Sequence, residues 1–218
     1  MYNAKITDCG QGLVAQSMQD AKFTSCGFGA NDMEQIALTG CSTPMFSQVD
    51  VWPPSNGNWK GKFGVTIDNC YGVRFLQGDV ETPISLKGSN AQVAIPGSSE
   101  DRHRDRWANF SQVFFKISKE VSEGYKQNHL GDAAYRTTDG EYGPKGFFQL
   151  EDWDSLVLDN CQFTFATDPD FTTDEVPPGF LNARPDYLFR FTASDSASDD
   201  ALQQDRRGSV FISGELRV

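Results

Sequence analysis

Thr66-Ile67-Asp68-Asn69-Cys70 and Val157-Leu158-Asp159-Asn160-Cys161 are two copies of one short phrase. It occurs again as Lys5-Ile6-Thr7-Asp8-Cys9, Lys22-Phe23-Thr24-Ser25-Cys26 and Ala37-Leu38-Thr39-Gly40-Cys41. A copy without cysteine, Phe211-Ile212-Ser213-Gly214-Glu215, lies close to the C-terminus. All 5 cysteines therefore share one frame: an apolar residue, Thr or Asp, a small polar turn-former, then Cys.

Upstream of each cysteine the apolar residues alternate, as in Ala4 and Ile6, Ile36 and Leu38, Val65 and Ile67, and Leu156 and Leu158. Period two with Thr and β-branched residues predicts a half-buried strand. The next pair favours a bend, because Asn and Asp bond their own backbone and Gly accepts positive φ. The cysteine that follows suits a small inward slot, since free Cys packs as a buried hydrophobe. A strand-and-bend unit repeated at intervals is the pattern of a solenoid. The interval is 32 residues from Cys9 to Cys41, 29 to Cys70, 91 to Cys161 and 54 to Glu215. It predicts coils of about 27–32 residues, with Cys26 on a second face, or coils half that long. Cys9, Cys26, Cys41, Cys70 and Cys161 then form a structural ladder.

The phrases resemble those of right-handed parallel β-helices of the pectate-lyase-like superfamily, most closely at Ile67–Val73 and Leu158–Phe163. The likeness covers about residues 1–95 and 150–218. It implies an all-β fold, a right-handed parallel β-helix with one larger insertion and long loops, as one domain over 1–218. It implies no single function, because that fold serves pectinases, phage tailspikes, adhesins and inert virion parts alike.

Composition narrows the classes. The 218 residues suffice for one domain with a sizeable core, and 17 Phe enrich its apolar content. A net charge of −11 argues against nucleic acid, whose phosphates require clustered Lys and Arg. No run approaches the roughly 18 apolar residues of a membrane helix. The start, Met1-Tyr2-Asn3-Ala4-Lys5-Ile6, lacks the basic and apolar regions of a signal peptide. Like positions on adjacent parallel strands lie about 4.8 Å apart, beyond the roughly 3.8 Å between Cβ atoms that a disulfide prefers, so the thiols are expected reduced and buried. No Cys-x-x-Cys occurs and His103 and His129 are the only histidines, so no metal and no cofactor is expected.

Residues 96–150 break the pattern and are expected to form an insertion. It carries the mixed-charge run Glu100-Asp101-Arg102-His103-Arg104-Asp105-Arg106-Trp107. Next comes an apolar stripe at Phe110, Val113, Phe114, Ile117 and Val121, whose spacing predicts a helix across 109–128, although 114–118 also reads as a coil strand. Residues 52–64, with two Pro and two Trp, read as a loop. Trp52 and Trp59 are candidates for stacking on a sugar or a partner, and so are Arg102, Arg104 and Trp107; folding of both loop Trp onto the coil wall is the alternative. Asp68 and Asp159 occupy one slot about three coils apart, roughly 14 Å at 4.8 Å per coil. That is too far for the paired carboxyls of a glycosidase, so no catalytic residue is assigned. Asp168, Asp170, Asp174 and Glu175 read as a solvated acidic loop.

Two functions follow. The first is a non-enzymatic virion structural component of phage type (tail, tailspike or capsid decoration) that assembles or binds a host-surface glycan. It would be made in the host cytoplasm without a signal peptide and carried on the virion. The abrupt start of the first strand implies a neighbouring chain, and the resemblance implies a homotrimer or other virion proteins as partners. The second is a polysaccharide lyase or glycoside hydrolase of the pectate-lyase-like fold.

Overall fold

The computed structural model describes residues 1–55, 58–88, 106–138, 142–164, 185–192 and 209–214. The strands are β1 (Lys5–Thr7), β2 (Leu13–Gln16), β3 (Lys22–Thr24), β4 (Gly27–Gly29), β5 (Ile36–Thr39), β6 (Met45–Trp52), β7 (Val65–Asp68) and β8 (Val73–Val80). They continue as β9 (Ile84–Lys87), β10 (Trp107–Lys116), β11 (Gly146–Glu151), β12 (Ser155–Asp159), β13 (Gln162–Thr164), β14 (Tyr187–Thr192) and β15 (Ser209–Ser213). One α-helix, α1 (Lys119–Asn128), follows β10.

The strands form two sheets, nine-stranded sheet A and six-stranded sheet B. Sheet B holds β2, β5, β7, β9, β11 and β14; the rest belong to sheet A, so the chain passes from one sheet to the other and back. Neighbouring strands in both sheets run parallel, as in β6 with β8 and β7 with β9. The structure is mostly β, with parallel sheets, which is compatible with the expected all-β class.

In-register pairing stacks like on like. Phe23 lies on Phe46, Phe46 on Phe75 and Phe75 on Phe110, with ring centroids 4.7, 4.6 and 4.8 Å apart and planes nearly parallel. Those separations equal the spacing of neighbouring strands, so each ring rides on its own backbone rung. Phe115 stacks on Phe163 in the same way, at 4.8 Å. All of these rings are buried.

The bends stack too. Asp8, Ser25, Gly40, Asn69, Asn160 and Gly214, the fourth residue of every phrase, all have positive φ, between 49° and 76°. Continuing the strand registers, the column at the bend of sheet A runs Asn3, Ser25, Gln48, Gln77, Gln112, Asn160 and Gly214. A second column at the end of sheet B contains Ser17, Gly40, Asn69 and Asp152. Asp20, Thr43 and Gly72 form a third, and Asp8 and Ala30 a fourth. Every non-glycine residue with positive φ among the described residues stands in one of these columns. Side chains tie the first column together: Ser25 Oγ donates to Gln48 Oε1 at 3.0 Å, and Gln77 Nε2 to Gln112 Oε1 at 3.1 Å. The thiol after each bend turns back to the carbonyl two residues earlier, at 3.3 Å for Cys9, Cys26 and Cys70, 3.5 Å for Cys41 and 3.6 Å for Cys161.

Three expectations are corrected. The cysteines do not form one ladder. Cys26 and Cys161 share the bend of sheet A, Cys41 and Cys70 the end of sheet B, and Cys9 stands at another corner, opposite Asn31. Successive rungs of sheet A are therefore 23, 29, 35, 48 and 54 residues apart, from Phe23 through Phe46, Phe75, Phe110 and Leu158 to Ile212. Of the phrase intervals, the 29-residue step from Cys41 to Cys70 and the 54-residue step from Val157–Asn160 to Phe211–Gly214 each measure one rung, and the other intervals do not, because the phrase marks any corner. Thirdly, residues 96–150 are not one interruption: β10 runs through them in register between β8 and β12. Residues 109–116 are strand, and helix occupies Lys119–Asn128. Ala108, Phe110, Val113 and Phe115 point inward, and positive φ at Gln112 resets the alternation, which mimics a helical stripe.

Four of the five thiols are buried and Cys9 is exposed; all are free. Cys41 donates its backbone N–H to Cys70 Sγ at 3.2 Å. The side-chain hydrogen bond with Cys41, then burial, hold the Cys70 thiol above the ordinary range, and burial raises Cys161.

Two outcomes are expected. Native alkylation followed by mass spectrometry labels Cys9 and spares Cys26, Cys41, Cys70 and Cys161, while in denaturant all five react without reductant; a disulfide would contradict the register. Phe46→Ala removes the ring between Phe23 and Phe75 and costs about 3–5 kcal/mol in urea unfolding, whereas a cost below about 1 kcal/mol would mean that the stack is not a tightly packed core.

Candidate functional site

The sequence-predicted aromatic residues part company. Trp59 is fully buried: its Nε1 donates to the Met33 carbonyl at 2.8 Å and its ring stacks on Tyr125 at 5.4 Å. Helix α1 clamps this segment, with Asn128 Nδ2 donating to the Trp59 carbonyl at 2.9 Å and the Tyr125 hydroxyl to the Lys62 carbonyl. Trp59 is therefore wall, and no ligand reaches its face. Trp107 begins β10, half-buried, with the Arg74 guanidinium 5.4 Å from its ring centroid. Arg106, read as part of a charged patch, is buried; its N–H donates to Asp154 Oδ2 at 2.8 Å and its Nη1 to the Asp152 carbonyl at 3.0 Å. Arg102, His103, Arg104, Asp168, Asp170, Asp174 and Glu175 lie outside the described residues.

Trp52 is different. It ends β6 and is paired in register with Gly29, while Asp50 is paired with Gly27. Its indole lies over both glycines: a Cβ on Gly29 would come 2.0 Å from the ring, and one on Gly27 2.8 Å. The glycines form a floor that only a residue without a side chain can supply. Trp52 thus lies along the outer surface of sheet A, half-exposed.

Around it the register assembles polar groups. Asp50 pairs with Asp79 on β8, and Glu81 follows next to Trp52 on the same face. Together with Lys5 and Gln48 they line a groove of about 430 Å³ that is open to solvent. Burial, and then the Asp50 carboxylate, raise the Asp79 carboxyl above its ordinary value. Burial also raises Glu81, opposed by Lys116, whose Nζ lies 3.0 Å from Glu81 Oε1. Sequence reasoning missed Asp50, Asp79 and Glu81 because the cross-strand pairing that sets Asp79 and Glu81 beside Asp50 and Trp52 spans 29 residues. The legible signal was the Gly27-Phe28-Gly29 triplet one rung below Trp52.

The two aspartates read as one slot are on different sheets. Asp159, at the end of β12, accepts from Ser213 Oγ at 2.7 Å and Ser111 Oγ at 3.0 Å, a hydrogen-bonded row across three strands. Asp68 ends β7 in sheet B, half-buried and raised by burial. Among the described residues, no group of three or more His, Cys, Asp or Glu side chains is placed to hold a metal. No helix among them is long and apolar enough to cross a membrane. No protein-family model, no curated protein and no solved structure matches the chain. The resemblance to the pectate-lyase-like superfamily rests on the repeated phrases alone.

A carboxyl raised by the fold opposes folding once ionised. The penalty is absent below the ordinary value of 3.8 and grows as pH rises through the raised value. Asp79→Asn is expected to raise Tm at about pH 7 and to give no gain near pH 3; an equal gain at both would assign the effect to packing.

Proposed function

We propose that the two sheets wind as a right-handed parallel β-helix and that this rigid module binds a glycan along the outer face of sheet A. The part is a non-enzymatic structural one, of the virion-surface kind that the sequence phrases resemble. The winding is supported by the passage of the chain from sheet to sheet and by the stacking of every bend over its counterpart. The glycan reading is carried by one observation: the Trp52 indole laid flat on Gly27 and Gly29 beside a groove of carboxylates. An aromatic face offers apolar surface to the C–H groups of a sugar ring. Asp50, Asp79 and Glu81 accept hydrogen bonds from its hydroxyls, and Lys5 donates. A groove of this size holds part of an oligosaccharide, and its floor is pre-formed. The carboxylates favour neutral or amino sugars over polyanions.

A hydrolase is the second reading, favoured by Asp50 and Asp79. They face each other on adjacent strands, whose spacing is about 4.8 Å, near the roughly 5–5.5 Å carboxyl separation of retaining glycosidases. Burial, and then the neighbouring Asp50 carboxylate, raise the Asp79 carboxyl, the direction that the acid of such a pair requires.

One panel of neutral, amino and acidic oligosaccharides tests both. Binding by calorimetry, weakened at least about tenfold by Trp52→Ala, with no new reducing ends, supports the structural module. New reducing ends that disappear in Asp50→Asn and Asp79→Asn establish the hydrolase. Absence of binding to every sugar, or binding indifferent to Trp52→Ala, removes the glycan reading.

A further inference from the structure

A second cleft, on sheet B, has the opposite charge. Lys62 precedes β7, Lys145 precedes β11, and Arg190 lies on β14, paired in register with Gln149 of β11. All three basic residues and Gln149 line a shallow cleft whose enclosed space is only about 10 Å³, so an anion would sit at its mouth and not inside it. Phe63, Tyr125 and Pro144 supply apolar walls. In a chain of net charge −11, three half-buried basic residues line this one cleft, and the Arg190 charge acts on Lys62.

None of the three has an ion-pair partner among the described residues. The nearby carboxylates are engaged elsewhere. Asp132 Oδ1 accepts the Ala134 N–H at 2.8 Å, Glu151 Oε1 pairs with Lys87 at 3.1 Å, and Asp186 accepts twice from Thr138. The Lys62 ammonium lies 5.6 and 5.9 Å from the ring centroids of Phe63 and Tyr135. Burial, then Arg190, push its pKa down, while Asp132 and Glu151 oppose the shift. Clustered cations partly withdrawn from water repel one another, and an anion between them relieves that repulsion.

We propose that Lys62, Lys145 and Arg190 form a binding site for a single carboxylate group, carried by a uronic acid or by a free organic acid. The cleft is too small for an extended chain. The planar Arg190 fork matches a carboxylate in bidentate fashion, and lysines supply point charges around it. The Gln149 amide adds a neutral donor. This site is independent of the Trp52 groove and stands or falls without it.

The test titrates the full chain with sodium acetate, sodium glucuronate, sodium phosphate and neutral glucose at constant ionic strength, read by calorimetry and thermal melts. Saturable binding of acetate or glucuronate is expected, with glucose silent. Arg190→Gln, on the outermost strand of sheet B, and Lys62→Met, which keeps the apolar stem, should each weaken it at least about tenfold. Trp52→Ala should leave it unchanged. Glucuronate bound far more tightly than acetate identifies a sugar-borne carboxylate, and equal binding a free acid. No saturable response, an unchanged response in Arg190→Gln, or phosphate preferred over both carboxylates overturns the proposal. Should Lys62→Met fail to fold, Arg190→Gln and Lys145→Gln decide it.

Discussion

The structure depends on in-register parallel pairing. Once neighbouring strands run parallel at about 4.8 Å, each residue stands over one counterpart above and one below. The rest follows from that constraint. Stacked phenylalanines match it, because an aromatic ring offset on its neighbour fits a rung spacing without strain. Bends must also agree from rung to rung, because a corner that turned early would slip every later side chain to the wrong face. Columns of positive φ are the record of that agreement. They are filled mostly by Asn, Asp, Ser and Gly, with Thr43, Ala30 and, along the bend of sheet A, Gln, where Gln77 donates to Gln112.

The cysteines belong to the corners and not to a ladder of their own. A thiol is small enough for the inward slot after a bend and donates weakly to the carbonyl two residues back. At the bend of sheet A the same slot is held by Cys26, Val49, Gly78, Val113 and Cys161. Cysteine is thus one of several small residues that the slot accepts. Gly78 is there because a Cβ would come 2.0 Å from the Val49 carbonyl oxygen.

Among the described residues the inner faces are filled by buried apolar side chains, and the candidate sites lie on the outer faces and corners. There the same register that builds the core gathers groups distant in sequence. On sheet A it sets Asp50 against Asp79 and lays Trp52 on glycines of the previous rung. On sheet B it brings Lys62, Lys145 and Arg190 together across loops of different lengths. Helix α1 has a supporting part: by covering Trp59 it removes one candidate aromatic and fixes the backbone that presents Lys62.

Local chemistry decided what could be read directly. Alternating apolar residues declared strands, and Asp-Asn, Thr-Gly and Ser-Gly declared bends, because these are properties of a few adjacent residues. The sequence by itself therefore determined that the fold is mostly β, that Cys70 and Cys161 follow bends, and that Phe211–Gly214 repeats Val157–Asn160. It did not determine which corner each bend forms, since one phrase serves several corners and the loops between rungs vary from rung to rung. A single positive φ at Gln112 was enough to make strand β10 look helical. Only the tertiary structure decided that Trp52 is surface and Trp59 core. Both are Trp in a Pro- and Gly-rich stretch, but one meets a floor of glycine and the other meets Tyr125, a partner 66 residues away. Cross-strand register lies between residues that are not neighbours in sequence, and no local pattern encodes it.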